Sequence, residues 1–194
     1  MRRRLLLFVS IVGLVFCSGS TASAATSTAT TSTATGHYCV AQAAPVGVSR
    51  IPTAACYATF ARAISAATKG RVKLSASARP GSVTPDELNA GAKTLVTVFV
   101  LSIDFENTNF GGNDLTWTQT SKCGNFQASS MPRGWNDTVS SVIASSGCAT
   151  TLFWNNNFGS PTFPIAKNGS ASSLGVFNGQ ASSQTWCTAS PCGG

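Results

Sequence analysis

The chain has 194 residues, of which 13 are Lys or Arg, six are Asp or Glu and one is histidine, giving a formal net charge of +7. Triad or dyad catalysis with a Ser or Cys nucleophile needs an imidazole held on a rigid scaffold, and His37 follows a Ser/Thr/Ala-rich stretch, so this class is not expected. Gly111-Gly112 precedes no helix, which leaves no glycine-rich phosphate loop.

Residues 1–24 read as a signal peptide. Arg2 to Arg4 form a basic start, Leu5 to Phe16 an apolar core, and Ala22-Ser23-Ala24 a small-residue cleavage site. The apolar run falls short of the roughly 20 residues that span a bilayer, and no later segment approaches that length. Phe16 before Cys17 is too large for the usual lipid-attachment pattern. Residues 25–36 are almost entirely Ser, Thr and Ala, the composition of a flexible leader.

Removing residues 1–24 leaves ten Lys/Arg against six acids and six cysteines: Cys39, Cys56, Cys123, Cys148, Cys187 and Cys192. An even number in an exported chain is a disulfide framework. No CxxC spacing supports a metal alternative. Pairing between sequence neighbours is expected: Cys39 with Cys56, Cys123 with Cys148, and Cys187 with Cys192.

Residues 37–93 read as an accessory α+β segment. Tyr38 to Val40 is a short strand. Thr53 reads as the cap of a helix from Ala54 to Thr68 that Gly70 ends, with Cys56, Phe60, Ile64 and Ala67 on one face. Val72 to Ser75 alternates as a strand does. Thr84-Pro85-Asp86-Glu87 combines a cap, a proline at the first helical position and an acid at the third, opening a short helix to about Ala92. Thr94 to Phe105 is the longest β-branched and aromatic run, the start of an all-β region from residue 94 to 194 with turn signals every 8 to 12 residues.

Two patterns occur there twice, in the same order. Phe105-Glu106-Asn107-Thr108-Asn109-Phe110-Gly111-Gly112 is matched by Phe153-Trp154-Asn155-Asn156-Asn157-Phe158-Gly159-Ser160, with Ser160 in place of Gly112. Asn136-Asp137-Thr138-Val139-Ser140-Ser141 is matched by Asn178-Gly179-Gln180-Ala181-Ser182-Ser183, with Gly179 in place of Asp137. The periods are 48 residues from Phe105 to Phe153 and 42 from Asn136 to Asn178. The turn at Asn136 is oxygen-rich. Asp137 offers charge, Asn136 an amide oxygen, Thr138 a backbone carbonyl and Ser140 a hydroxyl, which suits a hard cation. The same residues also make ordinary turns by bonding their own backbone.

The paired patterns resemble the βγ-crystallin superfamily, in which each Greek key opens with an aromatic-x4-aromatic-x-Gly hairpin and closes with Asn/Asp-Asn/Asp-x-x-Ser/Thr-Ser. The resemblance implies an all-β, two-Greek-key sandwich over residues 94–194. It further implies a secreted non-enzymatic protein with weak structural calcium binding. By this analogy one ion would use Asn136, Asp137, Thr138 and Ser140 with a carbonyl near Asn155. The other would use Asn178, Gln180 and Ser182 with a carbonyl near Glu106. Gly179 takes a side-chain ligand from the second set. Secreted microbial metalloproteinase inhibitors and killer-toxin-like proteins share the fold, so an extracellular protease inhibitor or toxin-like interaction protein is the alternative. The loop Cys187-Thr188-Ala189-Ser190-Pro191-Cys192 and the stretch Pro161 to Pro164 are its candidate baits.

Asp104 and Glu106 would share one strand face, which imitates a glycosidase pair, yet on a half-exposed strand they read as hairpin-supporting residues. Arg62, Lys69, Arg71, Lys73 and Arg79 crowd into eighteen residues. They make either a solvated face or a patch for an anionic envelope polymer or anionic lipid heads. No aromatics interleave with them, so nucleic acid is not an expected partner. A monomer is expected.

Overall fold

The computed structural model describes residues 37–90 and 98–193. The expected signal peptide with Cys17, the expected leader and the first residues of the β-run at 94–97 lie outside the described residues. Among the described residues eleven strands form two sheets. The six-stranded sheet has the order β10-β7-β4-β5-β1-β3 and the five-stranded sheet the order β2-β6-β11-β8-β9, with β1 Tyr38–Gln42, β2 Ala44–Pro45, β3 Ala54–Tyr57, β4 Phe99–Asn107, β5 Gly111–Gln119, β6 Phe126–Ala128, β7 Ser141–Ala144, β8 Ala149–Asn155, β9 Gly159–Ile165, β10 Ser170–Ala171 and β11 Ser183–Cys187.

The two repeats fold as two Greek keys that trade strands. Strands β4, β5 and β7 of the first key lie in one sheet while β6 crosses to the other. Strands β8, β9 and β11 of the second lie in the opposite sheet while β10 crosses back. Between the sheets Leu101, Leu115, Trp117, Leu152, Trp186 and their neighbours form one core. The accessory segment does more than precede this sandwich. Strand β1 runs parallel to β5, from Tyr38 opposite Asp114 to Gln42 opposite Thr118, and β2 pairs with β6. Each sheet therefore continues into residues 37–57.

A second core lies on the outer face of the six-stranded sheet. There Phe60, Ile64, Val72, Val83 and Leu88 cover Val100, Ile103 and Phe105. This double cover explains why β4 is buried along seven consecutive residues, Ser102 and Asp104 among them. The side chains that cover it come from α1 Phe60–Ala67, from α2 Pro85–Asn89 and from the chain around them.

Three local expectations need correction. Residues 54–57 are a strand, not the first turn of a helix. Cys39 stands opposite Cys56 in the β1–β3 ladder and is bonded to it, and this tertiary pairing overrides the helical preference of the alanines. The helix starts at Phe60, capped by Thr59 rather than Thr53, and Gly70 closes it at φ +77. Residues 72–75 form no strand, since Val72 and Leu74 pack into the outer core while the Val72 N–H bonds the Thr68 hydroxyl at 3.1 Å. The second helix ends at Asn89 rather than about Ala92, but its capping box at Thr84 and Glu87 is complete.

All three disulfides join the expected neighbours, Cys39–Cys56, Cys123–Cys148 and Cys187–Cys192. Such bonds persist in oxidising surroundings. No helix among the described residues is long and apolar enough to cross a membrane.

Candidate metal centre

The two hairpins fold alike. Asn109 and Phe110 take φ of 57° and 60°, and Asn157 and Phe158 take 53° and 64°. In each, the kink lays the second aromatic ring on the first, Phe110 against Phe105 at 5.6 Å and Phe158 against Phe153 at 5.4 Å. Gly112 has φ +78, and a Cβ there would stand 2.7 Å from Asn107 Nδ2, so a side chain is excluded. Ser160 is tolerated at the matching place because the close approach has moved one residue back. There a Cβ on Gly159 would stand 2.8 Å from the Asn155 Cβ.

The polar turns lie side by side. The Asp137 N–H bonds the Ala181 carbonyl at 3.1 Å, and the Gly179 N–H bonds the Val139 carbonyl at 2.8 Å. Asp137 and Gly179 share the left-handed conformation, at φ 53 and 66. This pairing sets the oxygen groups in a different arrangement from the one expected. Ser182 of the second turn donates to Asp137 Oδ1 at 3.1 Å, while Asn136 Nδ2 reaches Asp137 Oδ2 at 2.6 Å. Asn136, Asp137 and Ser182 thus gather, and Thr138 stays with them by bonding the Asn136 carbonyl at 3.1 Å. Ser140 holds by repeat symmetry the place of Ser182, but its partner position is Gly179, so the contact has no counterpart.

The remaining candidates are engaged in local structure. Asn178 Oδ1 accepts from the Leu174 N–H at 2.8 Å. Asn155 gives its amide to the Ser160 carbonyl at 2.9 Å and its carbonyl to the Ser183 hydroxyl at 2.7 Å. Glu106 Oε2 accepts from the Asn113 N–H at 3.2 Å, bracing its own hairpin. Gln180 is half-buried. Among the described residues no group of three His, Cys, Asp or Glu side chains is placed to hold a metal. The Asp137 set is one carboxylate among neutral oxygens, a donor chemistry that fits calcium and not the nitrogen and sulfur preferences of zinc or copper.

Sequence reasoning missed the last serine of each turn. The Ser141 hydroxyl donates to the Asn107 carbonyl at 2.6 Å and accepts from the Phe110 N–H at 3.0 Å. Ser183 does the same for Asn155 and Phe158, at 2.7 and 3.0 Å. Both are fully buried, and each clamps the kinked hairpin of its own key. The repetition of a serine at that position was the available signal. Ser141→Ala is expected to cost about 1–3 kcal/mol by stranding a buried N–H and carbonyl, measured by urea unfolding. A cost near zero would mean that the hairpin holds its kink without the clamp.

Asp104 does not lie on a half-exposed strand. It is fully buried between the sheets, where it accepts from Trp117 Nε1 at 2.7 Å and from Ser102 and Gln184 at 3.3 Å. Burial raises its pKa to about 7 against the pull of these donors. Asp114 is also buried and neither carboxylate oxygen has a hydrogen-bond partner. Burial, and then the charge of Asp104, push its pKa well above the ordinary carboxylate value. His37 is exposed and bonds Asn113 at 2.6 Å. The imitation of a glycosidase pair disappears, because Glu106 braces a hairpin and Asp104 sits in the core.

No protein-family model and no curated protein matches the chain. Among solved structures it is similar to the N-terminal domain of protein S, with 22% identity over 47% of this chain and 99% of that one and a TM-score of 0.35. It is similar to a βγ-crystallin domain from Clostridium beijerinckii, with 19% identity over 45% and 98% and a TM-score of 0.34. A βγ-crystallin from Ciona intestinalis gives 27% identity over 43% and 94%, also at a TM-score of 0.34. The folded hairpins with their aromatic pairs, the paired polar turns and the exchanged strands are features of this chain itself, and they give residues 99–187 the fold of a two-Greek-key βγ-crystallin domain.

Proposed function

We propose that this is a secreted, non-enzymatic protein whose βγ-crystallin domain binds calcium weakly at the Asp137 turn, the ion stabilising the sandwich. The observation that carries this reading is the convergence of Asn136, Asp137 and Ser182 from two paired turns, at 2.6 and 3.1 Å. An ion there would take the place of the Asn136–Asp137 bond within one turn and of the Ser182–Asp137 bond between the turns, tying the two keys by shared coordination. With a single carboxylate the affinity falls at the weak extracellular end, on the order of 10⁻⁴ to 10⁻³ M. The glycine at 179 and the local bonds of Asn178 and Glu106 argue for one ion rather than two. The signal-peptide pattern of residues 1–24 and the three disulfides support export.

Calcium titration by calorimetry, with melting temperature followed in parallel, tests the proposal. One weak site and a raised melting temperature are expected, and Asp137→Ala should remove most of that rise because it deletes the only charged donor. An unchanged rise in the variant would refute the ligand assignment. Absence of both heat and shift in the parent would bring forward the protease-inhibitor or toxin-like reading. Residues 188–191, exposed on a loop closed by Cys187–Cys192, favour it.

A further inference from the structure

Among the described residues, three of the four large apolar side chains that stand exposed fall within six positions of one another: Val46 at 58%, Val48 at 46% and Ile51 at 73%. A single exposed apolar residue needs no explanation, but a cluster does. This one is carried on a fixed backbone. The Val46 N–H bonds the Asn125 carbonyl at 3.3 Å, the Val48 N–H closes a turn onto the Pro45 carbonyl at 3.1 Å, and Gln127 holds the Val48 carbonyl at 3.3 Å. Gly47, at φ +86, makes the turn.

Charge supplies the second, independent observation. Every charged residue from 37 to 83 is basic: Arg50, Arg62, Lys69, Arg71, Lys73 and Arg79, with no acid before Asp86. Arg71 is occupied with the carbonyls of Ala90 and Val98, while the other five are exposed. Arg50 lies in the apolar loop, and Lys69 is linked to it through Gln42. Gln42 borders one shallow cleft with Arg50 and Ile51 and a second with Ala66 and Lys69, so the loop and the C-terminal end of α1 share one edge of the molecule.

We propose that this edge docks on an anionic lipid bilayer, with Val46, Val48 and Ile51 entering the headgroup boundary and Arg50 and Lys69 meeting lipid phosphates. A soluble polyanion would satisfy the cations but leave the apolar tip in water. A bilayer with anionic headgroups offers both an acidic outer layer and hydrocarbon beneath it. No exposed aromatic side chain, which would stack on the bases of a nucleic acid, stands among these cations, since Phe60 is buried and Tyr57 half-buried. The docking is independent of the calcium reading.

The test is co-sedimentation of the chain from residue 25 onward, which lacks the apolar run at 5–16. The probes are vesicles of phosphatidylcholine with phosphatidylglycerol, and vesicles of phosphatidylcholine alone. EDTA is present throughout so that calcium cannot bridge protein to lipid. Binding is expected to the anionic vesicles only and to weaken with added salt. Val48→Asp with Ile51→Asp should lower it by about tenfold or more, roughly the factor that burial of one aliphatic side chain supplies. Arg50→Glu with Lys69→Glu should lower it several-fold or more. Val176→Asp, at the fourth exposed apolar position and far from these cations in sequence, should leave it unchanged. Ile51→Ser serves if the double aspartate variant melts below the parent, and it should still weaken binding. The proposal is overturned by an absence of binding to anionic vesicles, by equal binding to neutral ones, or by an equal loss in the Val176 variant. It is also overturned if the aspartate pair and Ile51→Ser both bind as the parent does, which would mark adsorption of a polyanion-binding face without insertion.

Discussion

Near pH 8 the Asp114→Asn variant is expected to unfold at a higher temperature than the parent, with the difference closing as the pH falls toward about 4. Asp114 is buried between Phe105 on β4 and Tyr38 on β1, its cross-strand neighbours, and neither of its oxygens is bonded. A charge there has nothing to replace its hydration, so the folded state keeps the proton. The unfolded chain releases it near pH 4. Because the folded state then binds more protons than the unfolded one, stability decreases as pH rises. The slope is about 1.4 kcal/mol per pH unit for each such group while the difference lasts. Asp104 adds a second contribution in the same direction. Its folded pKa of about 7 limits that loss to the window between about pH 4 and 7, roughly 4 kcal/mol in all. Both groups give full stability on the acid side, opposite to the salt-bridged carboxylates that dominate ordinary acid denaturation. Asparagine cannot ionise, so the variant should retain only the part of the slope that Asp104 supplies. Urea unfolding across this range checks the prediction, and a variant with the parent's slope would show that Asp114 ionises in the folded protein without penalty.

The order of the two keys was legible because it is written in turn chemistry. A left-handed kink needs Asn-Phe-Gly or its near equivalent, and the paired turns need Asn, Asp, Gly and Ser. These demands survive as a repeat of Phe105 at Phe153 and of Asn136 at Asn178. The disulfides were legible for a related reason, as each joins the nearest cysteine in the chain. The start of α1 was not legible, since Ala54 and Ala55 favour a helix and only the distant pairing of Cys56 with Cys39 forces them into a strand. Nor did the sequence reveal that β1 would enter the first sheet beside β5, a contact between residues more than seventy positions apart. The grouping of oxygens at the candidate metal centre depends on how the turns of different keys abut. Ser182 was therefore assigned to Asn178 and Gln180, when the fold delivers it to Asp137. Asp104 illustrates the same limit. Its place in an alternating run beside a hairpin suggests partial exposure, whereas the accessory layer on one side and the second sheet on the other enclose it.

Trp117→Ala is expected to be the most damaging single change in the sandwich, costing about 3–5 kcal/mol. Trp117 is fully buried, its ring centroid 5.0 Å from that of Trp186 across the two sheets. Its Nε1–H is the shortest hydrogen bond to Asp104, at 2.7 Å. The alanine variant loses packing and donor together, so Trp117→Phe is the informative companion. Phenylalanine fills much of the space but leaves Asp104 with only the 3.3 Å donors, Ser102 and Gln184. A carboxylate loses more than a carboxylic acid when such a donor is removed, which raises the Asp104 pKa further. The phenylalanine variant should therefore cost more near pH 8, where the parent's Asp104 is largely ionised, than near pH 5, where it is protonated. The decline in stability should also continue above about pH 7 before it levels off. Equal costs at both pH values would assign Trp117 to packing alone and remove it from the support of the buried acid. An unequal cost would show that the two tryptophans and Asp104 act as one unit, in which Trp186 Nε1–H bonds Ser102 at 3.0 Å and Ser102 in turn faces the same carboxylate. Such a chain joins the two sheets through polar bonds where most sandwiches rely on apolar contact, and it is worth keeping only if every member is bonded. The unpartnered Oε1 of Gln184 is the place where that condition is not met.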